Sequence, residues 1–244
     1  MIAKRVLKGA LRAAGFEVRR LPPVEDPILA PDIPDGELYQ PIYSPWLAPK
    51  FAIEFARIEP YTLVSADRCY VLASLVSQAL ELRGEVWECG VYRGGTAIML
   101  AGRLASSGRT FRLFDTFEGM PETDATRDWH KLGDFRDTSI EAVQSRVSGD
   151  FVQFHKGLIP DTFRGLESAQ IAFAHVDVDI YSAVLACCEF IFPRLCVGGF
   201  MVFDDYGFAT CPGARAAVDE FFAEQSSVPL ALPTGQAVVF RSLE

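Results

Sequence analysis

The segment Val86-Trp-Glu-Cys-Gly-Val-Tyr-Arg-Gly-Gly-Thr96 decides the predicted fold. Its apolar part, Val86–Val91, predicts a short strand, and the paired glycines at 94 and 95 predict a tight turn into a helix that reaches about Ser106. A strand, a glycine turn and a helix in this order begin a βαβ unit. The alternation continues along the chain, so we expect an α/β domain with a doubly wound, mostly parallel sheet.

The remaining strands and helices alternate after this first unit. Further parallel strands are predicted at Thr110–Phe114, Phe151–His155, Ile171–Val176 and Cys196–Phe203. Helices are predicted at Arg68–Arg83, Ser139–Val147, Asp161–Leu166, Ser182–Phe192 and Pro212–Ala223. Two apolar runs, Val228–Leu232 and Ala237–Arg241, flank Pro-Thr-Gly and predict a closing hairpin with an antiparallel C-terminal strand.

Two regions of different composition precede the α/β domain. Residues 1–20 carry six basic side chains against Glu17, a net charge of +5, and predict a basic amphipathic helix over Ile2–Ala14. Residues 21–64 are predicted to be a proline-rich arm or lid, in which the stretch Leu21–Pro49 is expected to be extended. Residues 65–244 form the predicted α/β domain.

The composition excludes several classes of protein. The chain has 244 residues, 50% hydrophobic and 23% charged, which is typical of a packed core rather than of disorder. Its net charge of −9 argues against a nucleic-acid surface. The longest uncharged run, Gln225–Phe240, is too short and polar for a membrane span. The six cysteines form no CxxC pair, and no signal peptide is evident, so we expect a cytoplasmic protein without disulfides.

The first candidate site is the glycine turn after the first strand. Glycines let the backbone approach a ligand closely, and the following helix presents its N–H groups. The spacing is GxxxGG and not GxGxxG, so the pyrophosphate-binding pattern is missing. Glu88, at the end of the strand, suits a ligand with an ammonium group. A tight turn without a ligand is the alternative interpretation.

A second candidate is Asp115, at the end of the second strand. A carboxylate there can accept both hydroxyl groups of a ribose, although an aspartate at a loop also caps turns. Together with the glycine turn, it indicates a nucleoside ligand. Phe117 can stack on a base or pack in the core.

Four carboxylates form the third candidate site, because Asp177, Asp179, Asp204 and Asp205 follow two successive strands. Carboxylates that are crowded together raise one another's pKa unless a cation is present. An all-oxygen set suits a hard ion such as Mg²⁺. Helix or turn capping is the alternative for Asp179 and Asp205. Of the histidines, His155 and His175 are expected in the core, and His130 in a polar loop can line a substrate pocket.

Several ordered motifs resemble one known family. They are Trp87–Thr96, Asp115-Thr-Phe-Glu-Gly-Met-Pro121, Lys156-Gly-Leu-Ile-Pro-Asp-Thr162, His175-Val-Asp-Val-Asp-Ile-Tyr181 and Pro193–Tyr206. Together they resemble the macrocin O-methyltransferases, whose relatives methylate mycinose and noviose sugars of antibiotics. The resemblance runs from about Pro41 to Phe222.

The resemblance implies a class I, Rossmann-like methyltransferase fold with a seven-stranded sheet. It also implies an S-adenosylmethionine- and Mg²⁺-dependent transfer to a sugar hydroxyl, on an antibiotic sugar or a surface glycan. By the same resemblance, Asp177, Asp204 and Asp205 would hold the metal, and Asp179 would be the general base. The implied cofactor-binding residues are Glu88, Gly90, Tyr92, Gly94, Gly95, Thr96, Asp115, Thr116 and Phe117.

Two other functions stay open from the sequence. One is a nucleotide-sugar glycosyltransferase, because Asp177-Val-Asp179 matches the DxD metal motif; the other is a non-catalytic cofactor-binding domain. We expect a homodimer or a higher homo-oligomer. The basic residues 1–20 are expected to contact either a partner subunit or an anionic inner membrane surface.

Overall fold

A computed structural model describes residues 44–242 and places a seven-stranded sheet at their centre. The strands are β1 Glu85–Cys89, β2 Phe111–Asp115, β3 Val152–Lys156, β4 Ile171–Val176, β5 Leu195–Phe203, β6 Leu230–Ala231 and β7 Ala237–Phe240. Their order in the sheet is β3-β2-β1-β4-β5-β7-β6. β1 to β5 are parallel, and β7 is antiparallel to both β5 and β6. The predicted mostly parallel sheet is confirmed.

The described residues include six α-helices, whose first residues explain where several of them begin. The helices are α1 Pro49–Ile58, α2 Ala66–Ala79, α3 Gly95–Leu104, α4 Ile140–Gln144, α5 Tyr181–Ile191 and α6 Pro212–Phe222. Ser139 Oγ accepts a hydrogen bond from the Ala142 N–H (3.2 Å) at the start of α4. Proline occupies the first position of α1 and α6, where a missing N–H breaks no helical hydrogen bond.

Helices cover both faces of the sheet, as a doubly wound fold requires. On one face, α1, α2 and α3 pack against alternate strand residues such as Val86 and Leu113. On the other face, α5 and α6 pack against residues such as Trp87 and Phe114. Because successive strand residues point to opposite faces, the apolar runs of β1 and β2 supply both cores.

The parallel register brings the carboxyl ends of the central strands to one edge. Cys89 is aligned with Phe114 and with Val176, and Val176 with Phe203. The hydrogen bonding continues past the strands, because the N–H of Asp177 donates to Cys89 O (2.8 Å) and that of Asp204 to Val176 O (2.9 Å). The acidic residues that follow β4 and β5 therefore lie side by side.

Besides shifts at the ends of several elements, the structure contains one helix that was not predicted and lacks one that was. Within the arm or lid predicted over residues 21–64, Pro49–Ile58 is helical, and Phe51 and Ile58 are buried in the core. The predicted helix Asp161–Leu166 is a 3₁₀ turn at Asp161–Phe163, and Gly165, with a φ of 85°, follows it. A residue in this left-handed conformation ends a helix.

Some expectations lie outside the described residues. The basic helix predicted in residues 1–20, most of the arm over 21–64, and the last two residues belong to this group. Within residues 44–242, no helix is long and apolar enough to cross a membrane. All six cysteines lie in the described part of the chain and are free.

Candidate active site

A cavity of about 410 Å³ opens at the carboxyl edge of the parallel strands. Ligands of open α/β sheets bind at this edge. The residues predicted for function that line the cavity are Gly90, Tyr92, Thr96, Asp115, Thr116, Asp177, Asp179 and Asp205. The predicted residues outside its lining are Glu88, Gly94, Gly95, Phe117 and Asp204.

The glycine turn brings two strand ends into direct backbone contact. A Cβ atom on Gly90 would lie 1.7 Å from the backbone oxygen of Asp177, and Gly90 has a φ of 86°. A Cβ on Gly95 would lie 2.6 Å from Thr62 Cβ. Glycine is therefore required for packing at both positions, and at Gly90 it also brings the backbone of the turn to the cavity wall.

Asp115 lies in the cavity wall, where its carboxylate accepts hydrogen bonds from the glycine turn. Oδ2 accepts from the N–H groups of Val91 (2.7 Å) and Tyr92 (2.9 Å), and Oδ1 accepts from that of Phe117 (2.7 Å). These bonds occupy most of the acceptor capacity of the side chain. Contact of Asp115 with a ribose stays a prediction.

Phe117 is buried, and its ring lies 6.2 Å from that of Phe154, so its side chain packs in the core. This geometry favours the core interpretation of Phe117 over stacking on a base. Thr116 lies beside it in the cavity wall, and its hydroxyl donates to Gly119 O (2.7 Å).

Glu88 lies below the cavity and pairs with a histidine of the neighbouring strand. Its Oε1 is 3.0 Å from His175 Nδ1, and both side chains are fully buried. Burial alone would lower the pKa of His175, but the adjacent Asp204 and Glu88 carboxylates raise it to about 10. Glu88 Oε2 has no hydrogen-bond partner. The contact between Glu88 and the cofactor stays a prediction.

Asp204 is a predicted metal ligand with partners of its own. It forms a salt bridge with Arg68 and accepts a hydrogen bond from Gln236 Nε2 (2.8 Å). Its Oδ1 lies 3.6 Å from His175 Nε2. Burial would raise the pKa of Asp204, but its contacts with His175 and the charge of Arg68 hold that pKa below its ordinary value. Asp204 is therefore a paired carboxylate.

Asp177 and Asp205 face the cavity among like charges. Burial and the neighbouring Asp204 carboxylate raise the pKa of Asp177 well above its ordinary value. Burial and the carboxylates of Asp179, Asp177 and Asp204 do the same for Asp205. Carboxylates in such surroundings favour a cation between them.

Asp179 has an unusual backbone conformation at the cavity wall. Its φ of 60° lies in the left-handed region, which is uncommon for a residue other than glycine. The N–H of Asp179 donates a hydrogen bond to Asp205 Oδ2 (3.2 Å). Burial raises the pKa of Asp179, while the nearby His130 and a hydrogen bond from Cys211 act in the opposite direction. Strained residues of this kind cluster at functional sites.

Sequence reasoning missed three residues of this region. Arg68 and Cys211 line the cavity, and Gln236 contacts Asp204 beneath it. Arg68 is separated from Asp204 by 136 positions, so no local pattern connects them. Cys211 precedes Pro212 at the start of a helix, which is the one local signal near it.

A family comparison matches most of the chain. The profile of the macrocin-O-methyltransferase family TylF matches residues 57–241. An 8-demethyl-8-(2,3-dimethoxy-alpha-L-rhamnosyl)-tetracenomycin-C 4'-O-methyltransferase of Streptomyces olivaceus is 30% identical, over 74% of this chain and 75% of that protein. The mycinamicin III 3''-O-methyltransferase of Micromonospora griseorubida is 32% identical, over 66% of this chain and 70% of that protein.

Solved structures support the fold. The O-methyltransferase NovP superposes with a TM-score of 0.68 at 24% identity, covering 75% of this chain and 83% of its own. The calicheamicin methyltransferase CalS11 gives a TM-score of 0.61 at 19% identity, covering 79% and 93%. The expected class I methyltransferase fold is therefore confirmed.

Proposed function

The chain belongs to the TylF family of macrocin O-methyltransferases, and from this premise we propose that it methylates a sugar hydroxyl, using S-adenosylmethionine and Mg²⁺. Methyl transfer itself follows from the family. The sugar is inferred from relatives, since the name of the Streptomyces olivaceus enzyme describes a rhamnosyl-bearing substrate. No residue contact described above favours a glycosyltransferase.

The observation that carries the proposal is the composition of the cavity wall. Gly90, Tyr92 and Thr96, from the glycine turn and the helix after it, line the cavity together with Asp177, Asp179 and Asp205. One cavity of about 410 Å³ thus joins a backbone-lined part and an acidic part. This size lies within the range of small-molecule sites. A negative wall also suits a cationic sulfonium cofactor.

The carboxylates fit a hard divalent cation. Asp177 and Asp204, together with His175, offer ligand atoms within 4.8 Å of one another, which allows the two carboxylates to share an ion. Asp205 faces the same cavity, where burial and the neighbouring carboxylates raise its pKa. All-oxygen donors are the ligands that Mg²⁺ prefers. We propose Asp177, Asp204 and Asp205 as ligands, with Asp204 sharing its contacts with Arg68 and Gln236.

The chain's own residues then position and deprotonate the acceptor. When bound, S-adenosylmethionine supplies an activated methyl group, and Mg²⁺ lowers the pKa of an acceptor hydroxyl. Asp179 accepts the hydroxyl proton, for which its location beside Asp205 and its raised pKa are suited. Residues of the loop Thr116–Asp137, which lines the cavity through Met120, Pro121 and His130, contact the acceptor.

The proposal is tested by methyl transfer from S-[methyl-³H]adenosylmethionine to a panel of rhamnosyl and other deoxysugar acceptors. We expect label in the sugar with Mg²⁺ present, loss of the label after exhaustive EDTA treatment, and its return when Mg²⁺ is added. Full activity in EDTA would contradict the metal role. A nucleotide-sugar turnover assay, run in parallel, tests the glycosyltransferase alternative directly.

A further inference from the structure

Asp128 is a buried residue in the middle of the loop Thr116–Asp137. It is 7% exposed, whereas Trp129 beside it is 65% exposed and Arg127 before it is exposed as well. The mechanism proposed above uses no atom of Asp128. Because aspartate is rarely buried unless its oxygens have hydrogen-bond partners, the partners of Asp128 indicate its role.

The Asp128 carboxylate joins the loop to the start of helix α5. Oδ1 accepts a hydrogen bond from the N–H of Tyr181 (2.9 Å), which is the first residue of α5. This N–H has no acceptor within its own helix, and a negative charge is favourable at a helix N-terminus. Oδ2 accepts from the N–H of Asp124 within the loop (3.3 Å). One side chain therefore bonds to both segments.

The start of helix α6 leaves space for the same carboxylate. Gly213 is the second residue of α6, although glycine is a poor helix former. A Cβ atom on Gly213 would lie 2.1 Å from Asp128 Oδ1 and 3.0 Å from Tyr181 Cβ. A larger residue at this position would therefore displace the carboxylate. The loop, α5 and α6 meet at Asp128.

Arg127 bridges the same three segments nearer to solvent. Its guanidinium carbon lies 3.8 Å from the centre of the Tyr181 ring, and its Nη1 lies 3.2 Å from Oε1 of Glu220 on α6. The Tyr181 hydroxyl donates a hydrogen bond to Glu220 as well. Exposed ion pairs of this kind stabilise little, so the buried contacts of Asp128 are expected to hold the junction.

The three segments that meet at Asp128 all contribute to the cavity wall. Lining residues from the loop, from the first turn of α5 and from the position before α6 include Met120, Pro121, His130, Ser182, Ala183 and Cys211. A movement of the loop away from the helices would therefore change the shape of this part of the cavity.

We propose that Asp128 is a positioning residue, which fixes the loop Thr116–Asp137 against α5 and α6 and thereby shapes the acceptor part of the cavity. The inference rests on the proposed function, in which this loop contacts the acceptor. The cofactor is proposed to bind at the glycine turn between β1 and α3, which is a different part of the wall. Loss of the Asp128 contacts should therefore weaken acceptor binding more than cofactor binding.

Hydrogen exchange on the full-length free protein tests whether Asp128 anchors the loop. We expect Asp128→Ala to speed amide exchange in peptides covering residues 120–130 by about tenfold or more, with wild-type exchange in β4 and β5. Gly213→Ala should give the same local change with Asp128 intact, because the new Cβ displaces Oδ1. Gly102→Ala is the matched control, since a Cβ on this glycine of helix α3 meets no atom within 4 Å. Wild-type exchange of the loop in both test variants, or faster exchange throughout the sheet in both, would overturn the proposal.

Kinetics separate a positioning role from a general loss of folding. We expect Asp128→Ala to raise the acceptor KM about tenfold or more, while the cofactor dissociation constant from calorimetry changes by less than about twofold. Asp128→Asn should recover most of the acceptor affinity, because its amide oxygen can still accept the Tyr181 N–H. Asp161→Ala is the matched control, since the Asp161 carboxylate is 60% exposed, pairs with Arg164 and lies outside the cavity lining.

Two kinetic results would overturn the proposal: a wild-type acceptor KM in Asp128→Ala, or equal losses of acceptor and cofactor affinity. A wild-type protein without methyl transfer would instead overturn the proposed function. In that case hydrogen exchange would still decide whether Asp128 anchors the loop.

Discussion

Carboxyl groups at the two ends of the parallel sheet have pKa values that are shifted in opposite directions. Towards the amino end, Arg112 donates two hydrogen bonds to Glu85 (2.6 and 2.9 Å), and Trp87 Nε1 donates a third (2.7 Å). Burial would raise the pKa of Glu85, but these hydrogen bonds hold it below its ordinary value. At the carboxyl end, burial and like charges raise the pKa of Asp177 and Asp205.

The difference separates a carboxylate that is neutralised within the chain from carboxylates that the proposed cation would neutralise. Arg112 neutralises the charge of Glu85 within the chain, so Glu85 can stabilise the fold without any bound molecule. Asp177 and Asp205 face a cavity and other carboxylates, an arrangement that is unfavourable until a cation enters. Asp204 is intermediate, because it lies at the carboxyl end but is paired with Arg68.

The largest expected effect concerns Asp179. We predict that Asp179→Asn lowers the rate of methyl transfer by at least ~100-fold, the usual scale for a general base, because an amide cannot accept the hydroxyl proton. Steady-state kinetics with the labelled cofactor measure the rate. Cofactor affinity by calorimetry should stay near that of wild type.

A matched variant at the other end of the sheet gives the control for Asp179. Glu85→Gln also removes a carboxylate, but it should leave kcat and KM unchanged because Glu85 lies outside the cavity lining. Equal losses of activity in both variants would show that folding, and not proton transfer, explains the result. Full turnover by Asp179→Asn would remove Asp179 as the base.

Asp204 and Asp205 are adjacent in sequence, but replacing each by asparagine should change the thermal stability in opposite directions. In EDTA, Asp204→Asn should lower stability by about 3 kcal/mol, because it removes the buried carboxylate that pairs with Arg68, whose side chain is 11% exposed; in a domain of this size this is roughly 6–12 °C in Tm. Asp205→Asn should raise Tm, since it removes one of several crowded carboxylates and its amide oxygen can still accept the Asp179 N–H.

Thermal unfolding with and without Mg²⁺ measures both variants. Mg²⁺ should raise the Tm of the wild-type protein, because an ion that binds only the folded state stabilises that state. The increase should be lost in Asp205→Asn. A decrease in Tm for both variants in EDTA would contradict the contrast between paired and unpaired carboxylates.

The comparison also shows which structural features could be predicted from the sequence. The limits of β4 were predicted correctly, because Ile171–Val176 is an apolar run that ends at Asp177. The carboxyl edge followed from the parallel order of strands. The helix Pro49–Ile58 was missed because its neighbourhood is rich in proline, although proline at a first helical position favours a helix.

Side-chain partners were less predictable than strand ends. The backbone hydrogen bonds to Asp115 join positions 23 and 24 residues apart, and the Arg68 salt bridge joins positions 136 apart. Such pairs depend on how helices pack on the sheet, which no local sequence pattern specifies. The sequence therefore predicted which carboxylates share an edge, but not which of them already has a counter-charge.

A smaller effect is expected from the charge pair at the amino end. Glu85→Gln should lower stability by about 1.5 kcal/mol, the usual scale for hydrogen bonds to a charged group, or roughly 3–6 °C in Tm. Urea unfolding followed by circular dichroism measures the change. Glu118→Gln is the control, because Glu118 forms only an exposed pair with Lys156 (2.6 Å) and should change stability little.

The smallest expected effect is a dependence on pH at His155, which belongs to the same network. Its ring stacks on Phe114 (4.6 Å), and Nε2 lies 3.3 Å from Arg112 Nη1. Burial and the Arg112 charge lower the pKa of His155 from its ordinary value of 6.5. The unfolded chain therefore takes up a proton more readily than the folded one, and this contribution to stability is lost as pH falls below 6.5. In His155→Gln the decrease in Tm between pH 7.5 and pH 5.5 should be smaller than in wild type. An equal or steeper decrease would show that His155 is not held neutral beside Arg112.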